Sequence, residues 1–134
     1  CQLYRPDKLY ASPGLVIHKE CDEHQHKKNN GNYSCDEGRI SNIYDEFSGN
    51  KYIITRWNPD TYKPTNGSKL FREERLKLDL YVTKKISKIY KKLPQIFIVY
   101  MFYDNDNPRL SKNIPHVIVN NKQEFKTFLK SLKM

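Results

Sequence analysis

"LYRPDKLYASPGLVIHKEC", residues 3–21, decides what kind of sheet this chain builds. Ser12-Pro13-Gly14 is a turn signal between two runs rich in β-formers, so the stretch predicts a hairpin of two short strands. The second strand, Leu15 to about Asp22, has period two. Side chains alternate across a strand, so Val16, His18, Glu20 and Asp22 share one face, and His24 continues it if the strand runs on. One face thus carries two carboxylates and two imidazoles within nine residues, a polar load for the side of a strand. Further polar residues follow in "HKECDEHQHKKNNGNYSCDEGR", residues 18–39, with an Asn/Gly loop over 27–32.

Downstream, Ser34-Cys35-Asp36-Glu37 fits a capping box and predicts a helix from Cys35 to about Phe47, with Ile40, Ile43, Tyr44 and Phe47 as its apolar stripe. "KYIITRW" (51–57) reads as a buried strand. A longer helix is expected over roughly 70–92, with Leu76, Leu80, Val82, Ile86, Ile89 and Leu93 inward and Lys84, Lys88 and Lys91 or Lys92 outward, ended by Pro94. "QIFIVYMFYD" (95–104) reads as the central strand, "HVIV" (116–119) as a short one, and "KQEFKTFLKSLK" (122–133) as a C-terminal helix with Phe125 and Leu129 inward. The expected order is β-β-α-β-α-β-β-α, one α/β domain over 1–134 with a mixed sheet. The chain begins at Cys1, which predicts a fragment lacking an upstream segment.

Charge is unevenly placed. Residues 1–67 hold nine Lys/Arg and nine Asp/Glu; residues 68–134 hold fifteen and six, and so carry the whole net +9. A balanced, acid-clustered half beside a basic half suits a protein that grips a polyanion and works on it with metal. The stripe Lys84, Lys88, Lys91 and Lys92 is the candidate contact to a phosphate backbone, although such a stripe is by itself more often a solvated face. No apolar run is long enough for a membrane helix. Three cysteines are an odd number for a secreted disulfide framework and predict a reducing compartment, nucleus or cytoplasm.

Hydrolysing a phosphodiester needs charge stabilisation at the phosphate and an activated water, and clustered carboxylates holding Mg²⁺ or Mn²⁺ supply both. Glu20 and Asp22 point the same way and can share an ion; Asp7, from the neighbouring strand, would complete an open site. His24 is placed to move a proton, and Arg39 to meet a phosphate. Cys21, His24, His26 and Cys35 are also chemically suited to zinc, but their spacing matches no standard finger. Buried Cys21 and Cys35 are the favoured reading. His26 is a further site candidate; His18 reads as structural.

"RPD", "ECDEHQH", "CDEGRI" and "IITRWNPDTY", in that order over residues 3–63, resemble the Vsr-like branch of the PD-(D/E)XK nucleases, closest to sequences of large DNA viruses and some protists. The resemblance implies a restriction-endonuclease-like mixed sheet flanked by helices and a metal-dependent DNA endonuclease. It implies Asp7, Glu20 and Asp22 as metal ligands and His24 as acid/base. The acidic helix-start position falls on Asp36 or Glu37, its arginine is Arg39, and Arg56, Asn58 and Asp60 form a mainly structural strand end from which Arg56 could touch phosphate. The lysine of the general motif is absent, as in that branch, with Asp22 in its place. It also implies an intracellular setting, including that of a virus-infected host cell. The alternatives from other classes are a non-catalytic nucleic-acid-binding module and a virus–host interaction protein keeping the same fold.

Overall fold

The computed structural model describes residues 8–21, 49–58, 72–104 and 110–132. The hairpin is present: β1 (Lys8–Ser12) pairs antiparallel with β2 (Leu15–Cys21), from Ser12 opposite Leu15 to Lys8 opposite Lys19. Gly14 turns the chain at φ 84°, a left-handed conformation open to glycine at no steric cost. Its N–H donates to Asn50 Oδ1 at 3.1 Å and its carbonyl accepts from Lys51 N at 2.9 Å, so the turn is tied to the start of the next strand.

That strand, β3 (Lys51–Trp57), is followed by helix α1 (Arg72–Ile89), a 3₁₀ turn (Tyr90–Lys92), β4 (Ile96–Met101), β5 (His116–Val119) and helix α2 (Lys122–Ser131). The five strands lie in sequence order, with β2, β3, β4 and β5 mutually parallel. The described part is therefore a mixed α/β arrangement of a five-stranded mixed sheet and two helices. The predicted helix over 35–47 lies outside the described residues. The strand expected to be central, β4, is flanked on both sides, but the middle of the five is β3. Tyr52 to Arg56 are all buried there, the continuous burial expected of a parallel strand covered on both faces.

The sheet has two apolar faces. On one, Ile17, Ile53, Val99 and Met101 pack with Leu78, Val82 and Ile86 of α1 and Phe125 of α2; on the other, Val16, Tyr52, Ile54, Ile98 and Tyr100 form a second cluster with Tyr103. The inward stripe of α1 is thus Leu78–Val82–Ile86. Leu76 and Leu80, expected inward, are 44% and 58% exposed: the helix is turned so that Lys19 Nζ reaches Asp79 Oδ1 at 2.9 Å and Thr83 Oγ1 at 2.6 Å, which sets the 78/82/86 side against the sheet. Ile86→Ala should cost about 3 kcal/mol in denaturant unfolding, and Leu80→Ser no more than ~0.5 kcal/mol. Equal losses would contradict this rotation.

α1 runs back along the strands. Arg75 Nη1 donates to Asn58 O at 3.0 Å at the carboxyl end of β3, and Lys51 Nζ donates to Leu93 O at 2.5 Å at its amino end. α2 starts at the carboxyl end of β5 with a capping pair: Asn121 Oδ1 accepts from Glu124 N at 2.8 Å, and Glu124 Oε1 accepts from Asn120 N at 2.7 Å. Phe125 is fully buried as expected, and Leu129 packs partly buried beside it. No helix among the described residues is long and apolar enough to cross a membrane.

Candidate functional site

Because β2 to β5 are parallel, their carboxyl ends fall on one edge, where open α/β sheets tend to bind ligands. The last row on the face opposite α1 is Glu20, Arg56, Tyr100 and Ile118, in register across the four strands; the row before it is His18, Ile54, Ile98 and His116. Directly paired residues point to the same face, so Glu20 and Arg56 share that face across β2 and β3. Arg56 is 3% exposed and belongs to the sheet interior beside Glu20.

Glu20 is held from within its own strand. His18 Nε2 lies 2.6 Å from Glu20 Oε1, with side-chain exposures of 0% and 11%. On the other edge of the ring, His18 Nδ1 lies 2.5 Å from the Tyr52 hydroxyl, and the two rings meet edge to face at 5.7 Å. An ionised carboxylate only accepts, so Nε2 carries the proton; in the neutral ring Nδ1 then accepts from the Tyr52 O–H. All three side chains are consistently bonded along one line, Tyr52 to His18 to Glu20.

Next to this row the chain ends are locked together. Phe102, just past β4, has φ 66°, the sole positive φ of a non-glycine residue among the described residues; the left-handed conformation costs such a residue about 1–2 kcal/mol. Asn58 Nδ2 donates to Phe102 O at 2.9 Å, Phe102 N donates to Val119 O at 3.2 Å, and the Arg75 guanidinium lies 5.0 Å over the Phe102 ring. Asn58 and Arg75 are buried at 0% and 7%. They fasten the start of α1 to the ends of β3 and β4, which gives Asn58 the structural role expected of that strand end.

Of the sequence-predicted site residues, Asp7, Asp22, His24, His26, Asp36, Glu37 and Arg39 lie outside the described residues. Asp7 immediately precedes β1, whose first residue pairs with Lys19 beside Glu20, and Asp22 immediately follows the last residue of β2. Cys21 is exposed, contrary to its expected burial, because it ends β2 at the sheet margin. Its prospective zinc partners His24, His26 and Cys35 lie outside the described residues, and no group of three or more His, Cys, Asp or Glu side chains is gathered among those described. Trp57 and Tyr90 pack partly buried against the core, as expected.

Lys84, Lys88, Lys91 and Lys92 are exposed, but they do not share a surface with Glu20. α1 covers the opposite face of the sheet, and its last turns lie at the amino ends of the strands. On that same face but nearer the carboxyl edge, Lys77 and Lys122 line a cleft of about 380 Å³ with Tyr81, Leu78, Glu74 and Asn121. Lys122 Nζ lies 4.6 Å over the Tyr81 ring. Sequence reasoning missed this pair because it depends on where α2 starts against α1. His18, read from the sequence as structural, is fully buried with both ring nitrogens bonded, and period two had placed it on the face of Glu20; its contact with Tyr52 depends on the β2–β3 register, which the sequence does not state. The chain matches no protein-family model, no curated protein and no solved structure.

Proposed function

We propose that the chain is a metal-dependent DNA endonuclease with a restriction-endonuclease-like fold of the Vsr-like type. The observation that carries the reading is the Glu20 carboxylate at the carboxyl edge of a parallel sheet, fixed by His18 and in register with Arg56. The hairpin that Ser12-Pro13-Gly14 predicts is present, and the sheet that it enters is mixed, as the resemblance implies.

The donor chemistry fits a hard cation, which takes oxygen ligands. Glu20 would hold the ion with Asp7 and Asp22, the residues that flank β1 and β2 in sequence. Such an ion would supply charge stabilisation at the scissile phosphate and a water of lowered pKa. His24 would carry the proton, and Arg39 would steady the phosphate; Asp36 or Glu37 at the predicted helix start and His26 are further site candidates. Arg56, paired with Glu20 across β2 and β3, is a further site candidate.

Substrate contact is assigned to basic side chains, with the Lys84–Lys92 stripe and the Lys77/Lys122 pair as its two candidate tracks. The carboxyl edge favours Lys77 and Lys122. Neutralising one phosphate-binding lysine lowers the salt dependence of duplex binding by close to one unit of slope. The double variant Lys77→Gln/Lys122→Gln should therefore weaken binding to a DNA duplex about tenfold at low salt. Lys88→Gln/Lys92→Gln should leave it within about threefold. The reverse order would assign the substrate to the lysine stripe. The catalytic reading itself is tested with Asp22→Ala, which should abolish metal-dependent cleavage and leave DNA binding intact. A change in stability alone would make the acidic cluster structural.

A further inference from the structure

We infer that Tyr52 and His18 are positioning residues that hold the Glu20 carboxylate in the orientation in which it takes a divalent cation. This rests on the metal-site reading above and adds to it two residues that touch no substrate. The observation is the unbroken line of short contacts, Tyr52 Oη to His18 Nδ1 at 2.5 Å and His18 Nε2 to Glu20 Oε1 at 2.6 Å, built from two fully buried rings and a carboxylate at the sheet edge.

The chemistry of burial makes the arrangement informative. His18 sits between Val16 and Ile54, where an aliphatic side chain would fill the space with no polar atom to satisfy. An imidazole there is tolerated only because both ring nitrogens are bonded. One of those bonds is directed at the carboxylate, so the buried ring acts on Glu20 as well as on packing. A glutamate at a strand end has three rotatable side-chain bonds, and ordering them on cation binding is entropically unfavourable. Fixing Oε1 beforehand removes that cost and leaves the carboxylate oriented before the ion arrives. The Tyr52 hydroxyl completes the device by fixing the ring's plane and its tautomer, as the outer partners of metal-bound side chains generally do.

The test is Mn²⁺ binding to the full chain, followed by calorimetry without DNA, with circular dichroism and thermal melting run on every variant. Loss of such an outer partner lowers metal affinity about 10–100-fold. His18→Leu should fall in that range, and Tyr52→Phe, which keeps the ring and removes the hydroxyl, by about tenfold. His18→Gln places an amide N–H near the position of Nε2 and should recover a large part of the loss. A folded His18→Leu or Tyr52→Phe that binds Mn²⁺ as tightly as the wild type overturns the inference, as does a His18→Gln no better than His18→Leu. If His18→Leu does not fold, Tyr52→Phe decides by itself. A wild-type chain that binds no Mn²⁺ instead overturns the metal-site reading on which all of this stands, so the two failures are told apart.

Discussion

Glu20→Gln is expected to lower metal-dependent nicking of DNA about a thousandfold, the consequence of losing several kcal/mol of charge stabilisation at the reacting phosphate. The substitution is close to isosteric. Its amide oxygen can still accept from His18 Nε2, so the line from Tyr52 to position 20 persists and the sheet edge keeps its shape. What disappears is the negative charge that a hard cation requires. The bond from His18 Nε2 is weaker to a neutral amide oxygen than to a carboxylate, and a modest fall in melting temperature is expected with the loss of activity. DNA binding should be retained. A folded Glu20→Gln chain cutting within tenfold of the wild type would remove Glu20 from the site, and with it the role of His18.

The largest loss of stability is expected at Phe125. This ring is fully buried where α2 meets α1 and the sheet. It contacts Tyr81 edge to face at 5.9 Å and Phe128 at 6.0 Å, and Phe128 in turn stacks on Phe97 of β4 at 5.6 Å. A single chain of aromatic contacts therefore ties both helices to β4. Phe125→Ala should cost about 3–5 kcal/mol through reduced burial and the cavity left behind. Against a total stability of about 5–15 kcal/mol that is a large share. In denaturant the midpoint should drop accordingly, while Lys126→Ala, one residue along on the exposed side, should stay within ~0.5 kcal/mol. A loss below ~1 kcal/mol at Phe125 would mean that α2 is not docked as described. The same substitution should disturb the Lys77/Lys122 cleft, because Lys122 opens the helix that Phe125 anchors.

Much of the fold was legible because its signals are local. Ser12-Pro13-Gly14 specifies a hairpin by its own turn chemistry, and Tyr52 to Thr55 read as a buried strand from their unbroken aromatic and β-branched run. The rotation of α1 was not legible. "RLKLDLYV" alternates leucine with charge, so Leu76, Leu78 and Leu80 compete for the inward side, and only the tertiary contact of Lys19 with Asp79 and Thr83 selects Leu78. For the same reason the lysine stripe could be read as outward-facing, but not as lying across the sheet from Glu20: that follows from strand order and from the direction in which α1 runs. At the site, period two placed His18 and Glu20 on one face. Tyr52 entered only through the pairing of β2 with β3, a long-range fact that no window of sequence contains.

The central claim is that these carboxylates serve phosphodiester hydrolysis, and cleavage of supercoiled plasmid by the purified chain tests it most directly, with Mg²⁺, with Mn²⁺ and with EDTA in parallel. Conversion of supercoiled to nicked and linear DNA in either metal, and none in EDTA, is the expected result. DNA left intact under all three conditions, or cut equally well in EDTA, would contradict it.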